Sequence, residues 1–220
     1  MRSTDTVSPW ELWVLQGLDP TATEADVANL ATARRRQDGW QAAIHDRLLA
    51  GDTTPLETGR RLLEKRPDLA SGLVITLHLG PYQFVLEPFL AAGLRLHVLV
   101  TADAARRLRP VADHLSTLLA HPGRLEWHVA DDPATPRRLV RALRDDEPIL
   151  AYADGNQGRD GLAGTRREGI AYDLPGRRIR VRTGLARFVS RTECPVHPVR
   201  VRWSDDGRAI RWRGQPTQRW

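Results

Sequence analysis

Leu73-Val74-Ile75-Thr76-Leu77-His78-Leu79-Gly80-Pro81 is the stretch that decides the fold. Five apolar or β-branched residues in a row, with no polar alternation, describe a strand buried on both faces, as in a parallel sheet covered by helices. The run ends at a histidine and a Gly-Pro turn, and a helical pattern follows over residues 81–90, closed by Gly93. Further along, the same alternation repeats. Strands are predicted at 96–100 (LHVLV), 125–129 (LEWHV) and 149–153 (ILAYA), with helices at 102–119 and 136–143 between them. Repeated βα units imply a largely parallel sheet with helices packed on it.

Upstream of this run, Ser8-Pro9-Trp10-Glu11 and Thr54-Pro55-Leu56-Glu57 each place a hydroxyl, a proline and a glutamate where a helix start wants them. Between them residues 23–49 have helical periodicity, with an interruption expected near Asp38-Gly39. Downstream, residues 154–169 form a polar, glycine-rich stretch too long for an ordinary connection. A short helix at 184–191 precedes a hairpin of 196–203 and 208–213, turned at Ser204-Asp205-Asp206-Gly207. The expected architecture is α/β: one domain with a largely parallel sheet flanked by helices, a helical region over 1–71, and a core over 72–220 that ends in a β-hairpin.

Composition narrows the function classes. The 220 residues are 41% hydrophobic and 27% charged, the profile of an ordinary globular domain. Cys194 is the one cysteine, which excludes a disulfide framework and a cysteine-based metal centre, and no metal site is expected. No apolar run is long enough for a secretion signal or a membrane span, so a cytoplasmic protein is expected. The formal charge of +6 is unevenly spread: residues 1–165 carry 19 basic and 22 acidic side chains, residues 166–220 carry 14 and 5. Nearly all the basic residues are arginine. No recognised nucleic-acid module interleaves them, so no nucleic-acid partner is expected.

His78 is the strongest chemical candidate, because the carboxyl end of a parallel strand beside a helix start is where open α/β sheets hold ligands. His45, His97, His114, His121 and His128 have no partner at a useful sequence spacing and are read as structural or exposed. In the polar stretch, five glycines (155, 158, 161, 164 and 169) let backbone N–H groups approach an anion, and Asp154 is the best-placed acid. Arg159, Arg166, Arg167, Arg177, Arg178, Arg180 and Arg182 supply bidentate donors for phosphate, sulfate or carboxylate. Acyl-coenzyme A, an acyl carrier protein's phosphopantetheine or a phosphoadenosine nucleotide would suit such a donor site as a transient substrate, with no tightly bound cofactor. Trp10, Trp13, Trp203, Trp212 and Trp220 cluster at the two ends of the chain, as terminal core or as interface.

The strand LVIT followed by His78-Leu79-Gly80-Pro81-Tyr82-Gln83 resembles the first motif of the lysophospholipid acyltransferase superfamily, in its lipid A late acyltransferase and phosphatidylinositol mannoside acyltransferase branch. Residues 143–153 with Asp154-Gly155-Asn156-Gln157-Gly158 resemble that branch's strand and polar loop. Leu174-Pro175-Gly176-Arg177 resembles its Phe-Phe-Gly segment, and residues 184–187 through 194–199 resemble its later block. The likeness covers about residues 72–203. It implies an acyltransferase-like fold and a catalytic histidine, His78, acting as general base on an acceptor hydroxyl that attacks a thioester. It also implies a carboxylate, five residues after the histidine, that steadies the imidazolium. Here that position is Gln83, and Glu87, one turn further on, is the alternative carboxylate. The resemblance adds Asn156 and Gln157 to the donor-binding set. Family members also carry an amino-terminal membrane anchor and a longer carboxyl-terminal part, both expected to be missing here.

Two functions are therefore expected from the sequence. One is a soluble transferase moving an acyl group from coenzyme A or a carrier protein onto a small natural-product intermediate. The other is a catalytically altered subunit of a heteromeric natural-product enzyme, handling a sulfuryl or phosphoryl group from a nucleotide donor.

Overall fold

The computed structural model describes residues 21–77, 80–118, 123–153, 170–174, 177–181, 183–214 and 216–217; of 171–174 and 177–181 the backbone alone is described. A long helix α1 (Glu24–Leu49) is followed by a 3-10 turn (Thr54–Leu56), α2 (Glu57–Lys65) and a second 3-10 turn (Pro67–Ala70). Strand β1 (Leu73–Thr76) leads through a 3-10 turn (Tyr82–Leu86) into the short α3 (Glu87–Ala91). Then come β2 (Arg95–Val100), α4 (Ala102–Leu118), β3 (Arg124–Val129), α5 (Thr135–Arg144) and β4 (Ile149–Tyr152). A two-stranded ribbon, β5 (Ile170–Leu174) and β6 (Arg177–Val181), precedes α6 (Gly184–Thr192), β7 (Val196–Trp203) and β8 (Ile210–Gly214).

The main sheet has the order β3-β2-β4-β1-β7-β8. Every neighbouring pair is parallel except β7 with β8. The expected α/β architecture with a largely parallel sheet is what the chain adopts. Both faces of the centre are buried, which is why its strands are continuous apolar runs. Val74, Leu96, Val98, Val100 and Leu150 pack with the helices from α1 to α4 on one face. Leu73, Ile149 and Ala151 pack with Leu139 and Ala142 of α5 and Val189 of α6 on the other. Toward β8 only one face is covered. Val199, Val201 and Trp203 are buried while Arg200 and Arg202 are exposed, the alternation of an antiparallel ribbon with one wet face.

Four local expectations need correction. First, α1 runs unbroken through Asp38-Gly39. A helical glycine costs only about 1 kcal/mol against alanine, and Trp40, edge-on to Trp203 at 6.1 Å, anchors the next turn. Second, Thr54 opens a 3-10 turn and does not cap a helix; its backbone N–H donates to Asp52 Oδ1 at 3.0 Å. Asp52 thus caps the turn, and the Thr54 contacts with the Arg47 guanidinium lower its pKa to about 2. Third, residues 82–91 are not one α-helix. Pro88 has no N–H to give to Phe84, so an α-helix cannot run through and a new one starts at Glu87. Fourth, the β5–β6 ribbon was not anticipated, because arginines at 177, 178 and 180 disguise its alternating Ile179 and Val181. The expected first helix at 8–17 lies outside the described residues.

Candidate functional site

Order in the sheet makes one edge special. From β1 the chain travels toward β2 and β3, and from β4 it travels to β7 on the other side of β1. The two connections pass each other on opposite faces of the sheet, and the carboxyl ends of β1 and β4 lie side by side, the edge at which open α/β sheets hold ligands. β1 and β4 are in register from Leu73↔Ile149 to Thr76↔Tyr152, and the Ala153 N–H donates to the Thr76 carbonyl at 2.8 Å. His78 follows two residues after one strand end and Asp154 two residues after the other. Both lie outside the described residues, as do Asn156, Gln157, Arg159, Arg166, Arg167 and Arg182. Arg177 and Arg180 stand on β6, opposite Leu174 and Ala171.

The chain resumes at Gly80, whose φ of +62° is left-handed and whose missing side chain lets it sit against β7. A Cβ there would lie 3.2 Å from the Val201 carbonyl oxygen and 3.7 Å from Arg202 Cα. The following 3-10 turn is pinned to the end of β4. Tyr152 meets Tyr82 edge to face at 6.0 Å, and its hydroxyl donates to the Tyr82 carbonyl at 3.4 Å.

Gln83 and Glu87 leave this segment in different directions. Gln83 Oε1 accepts from Gln41 Nε2 of α1 at 3.1 Å, beside a cavity of about 280 Å³ that Asp38, His45 and Val111 also line. The amide is thus committed to an amide. Glu87 is 0% exposed. Its Oε2 occupies the space that a side chain at Gly59 of α2 would fill, and the Trp212 ring lies 3.1 Å from that same point. Trp212 is the register partner of Val201, the residue against which Gly80 packs. Glu87 and Gly80 therefore converge on one pair of β7–β8 residues, whereas Gln83 belongs to α1. Removing a carboxylate from water costs several kcal/mol unless a donor or opposite charge meets it. Gly59, in the first turn of α2, leaves the room that the Glu87 carboxylate fills.

No family model and no curated protein matches this chain. Nothing in these comparisons adds to the acyltransferase resemblance read from the sequence. Among the described residues no cluster of histidine, cysteine and carboxylate side chains suits a metal ion. Among them, too, no helix is long and apolar enough to cross a membrane.

Two polar clusters escaped the sequence reading: His97 and His128, read as structural or exposed, find partners 31 and 50 residues away, and His197, which that reading did not assign, has its own. At the amino ends of β2 and β4, His97 Nε2 lies 2.6 Å from Glu147 Oε2 and His97 Nδ1 lies 2.8 Å from His128 Nε2. Since a carboxylate only accepts, His97 Nε2–H donates to Glu147, and His97 Nδ1 shares a hydrogen bond with His128 Nε2. Arg95 ties the cluster together, 3.0 Å from Glu126 and 3.4 Å from Glu147. Burial, reinforced by His97 and Arg138, holds the His128 pKa below the ordinary imidazole value. In the second cluster His197 Nδ1 stands 3.0 Å from Thr217 Oγ1 and 3.4 Å from Asp68 Oδ2. Arg66 grips that aspartate with two nitrogens, at 2.9 and 2.7 Å. The readable signal was a histidine inside an apolar strand pattern, Leu96-His97-Val98 and Trp127-His128-Val129. A buried polar residue in such a pattern needs a partner from another strand. His45 and His114 also approach each other, with ring centroids 5.6 Å apart.

Proposed function

We propose that this chain is a soluble, cytosolic acyltransferase-like enzyme. It would move an acyl group from a coenzyme A or carrier-protein thioester to a hydroxyl of a small natural-product intermediate, with His78 as general base and Glu87 as its carboxylate. The observation that carries the reading is the fully buried Glu87 carboxylate. It is held in the notch left by Gly59, against the β7–β8 pair on which the segment following His78 also packs. Gln83, at the position where the resembled family has its acid, is engaged with Gln41 and is not the functional substitute.

In this scheme His78 takes the acceptor's hydroxyl proton as the oxygen attacks the thioester carbonyl. The tetrahedral intermediate then collapses to an ester, and the proton passes to the departing thiolate. A carboxylate beside the ring stabilises the imidazolium formed in between, an effect worth about 10⁴-fold when its charge is lost from a comparable triad. The arginines of the polar stretch and of β6 would hold the donor's phosphates.

The test is acyl transfer from a series of acyl-coenzyme A donors to alcohols, followed by mass spectrometry. Wild type is expected to form ester, while His78→Ala and Glu87→Gln lose at least about 10²-fold with their circular dichroism unchanged. An active Glu87→Gln variant would overturn the role given to this carboxylate. A wild type inert on every donor but active with a second subunit and a nucleotide donor would favour the heteromeric reading instead.

A further inference from the structure

We infer that the wet face of the β7–β8 ribbon is a docking surface for a protein partner presenting carboxylates at helical spacing. Arg200 stands directly opposite Arg213, and Arg202 directly opposite Arg211. All four are exposed and, among the described residues, none of them forms an ion pair. Residues opposed across antiparallel strands have Cβ atoms about 5 Å apart on one face, and residues two apart along a strand are separated by about 7 Å. The face is therefore a grid of four like charges.

Such a grid works against the fold, because like charges placed directly opposite destabilise a strand pair. Protecting β8 as an edge strand does not call for it. Any charge blunts an edge, and arginine opposite glutamate would do so while also stabilising the ribbon. Two same-sign pairs in succession point to a partner that supplies the missing negative charge. Carboxylates three or four residues apart on a helix lie about 5–6 Å from one another, which matches the grid. A nucleic acid is the poorer fit. Single-strand binding relies on exposed aromatic platforms, and both tryptophans of the ribbon, Trp203 and Trp212, are buried on its other face. The grid also adjoins the carboxyl edge of the sheet: Gly80 rests against Arg202 and Val201. A partner docked on it would lie beside the carboxyl end of β1.

The experiment uses the full chain, a fluorescent helical peptide with four glutamates at i, i+3, i+4 and i+7, and polyuridylate as the rival ligand. The double variant Arg200→Glu/Arg202→Glu places each glutamate opposite an arginine. It is expected to weaken peptide binding at least tenfold in about 50 mM salt, while raising Tm by roughly 0.5–4 °C. A charge-matched control on α1, Arg34→Glu/Arg35→Glu, should change peptide binding less than twofold. Equal losses in both variants, a lowered Tm in the ribbon variant, or tighter binding of polyuridylate than of peptide would each overturn the inference.

Discussion

At the carboxyl ends of β1 and β4 the two described candidates, Gln83 and Glu87, come from one short stretch of chain, four residues apart. At the amino ends of β2 and β4 the polar groups come from Glu147, His97 and His128, at sequence separations of 50 and 31 residues. Both edges bury charge-capable side chains, but by different routes. The first is a local motif whose members are sorted by neighbours: α1 claims Gln83, and α2 with β8 claims Glu87. The second is assembled by strand pairing alone, since His97 faces Glu126 in register and its ring reaches His128 two residues further along β3. Adjacency in sequence therefore does not tell which neighbours claim each of two side chains, and distance in sequence conceals a cluster altogether.

The sharpest way to break this comparison is to exchange the roles of the two carboxyl-edge residues. Glu87→Gln should cut kcat/KM about 10²–10⁴-fold, whereas Gln83→Ala should change it less than about threefold. Similar losses in both would mean that the family position still functions and that the sorting described above is wrong.

Next in size is a pair of glycine substitutions. Gly59→Ala drives a methyl group into Glu87 Oε2 and should destabilise by about 1–3 kcal/mol, displacing the carboxylate as well. Gly39→Ala, in a helix with nothing within 4 Å of the new methyl, should stabilise by up to about 1 kcal/mol. Denaturant midpoints for the two variants should move in opposite directions.

At the amino edge, His97→Ala removes the middle of the Glu147–His97–His128 chain and leaves the buried His128 Nε2 without its partner, while the half-buried Glu147 keeps Arg95. About 1–3 kcal/mol of stability should go with it, without the selective loss of transfer activity expected of Glu87→Gln.

The smallest effect is a dependence on pH. Burial holds both His128 and His197 below the ordinary imidazole value, so they stay neutral in the fold while the unfolded chain protonates near pH 6.5. Below that pH the unfolded state binds more protons. Stability is therefore complete above about pH 6.5 and declines as pH falls toward the folded values. Asp68 acts in the same direction at lower pH. Arg66, with help from Thr217, keeps its carboxyl well below the usual range, so its contribution is full above about pH 4 and is lost as pH drops through the folded value. Melting curves between pH 7.5 and 5.5 should show the histidine part, and His128→Gln/His197→Gln should flatten it.

The sequence by itself determined the α/β class and the places of the central strands. Those features are written in unbroken apolar runs, and a strand buried on both faces leaves no other pattern. It also marked β7 and β8 through the alternation of Val199, Val201 and Trp203 with arginines. Tertiary structure alone decided the insertion of β4 between β1 and β2, the continuity of α1 through Gly39 and the pairing of the histidines. It also decided which acid enters the notch at Gly59 and which arginines stand opposed across the ribbon. Each of these depends on which residue of a distant segment arrives at a given point. Contacts between residues tens of positions apart are set by strand order and register, and neither is encoded in the local periodicity that a single sequence displays.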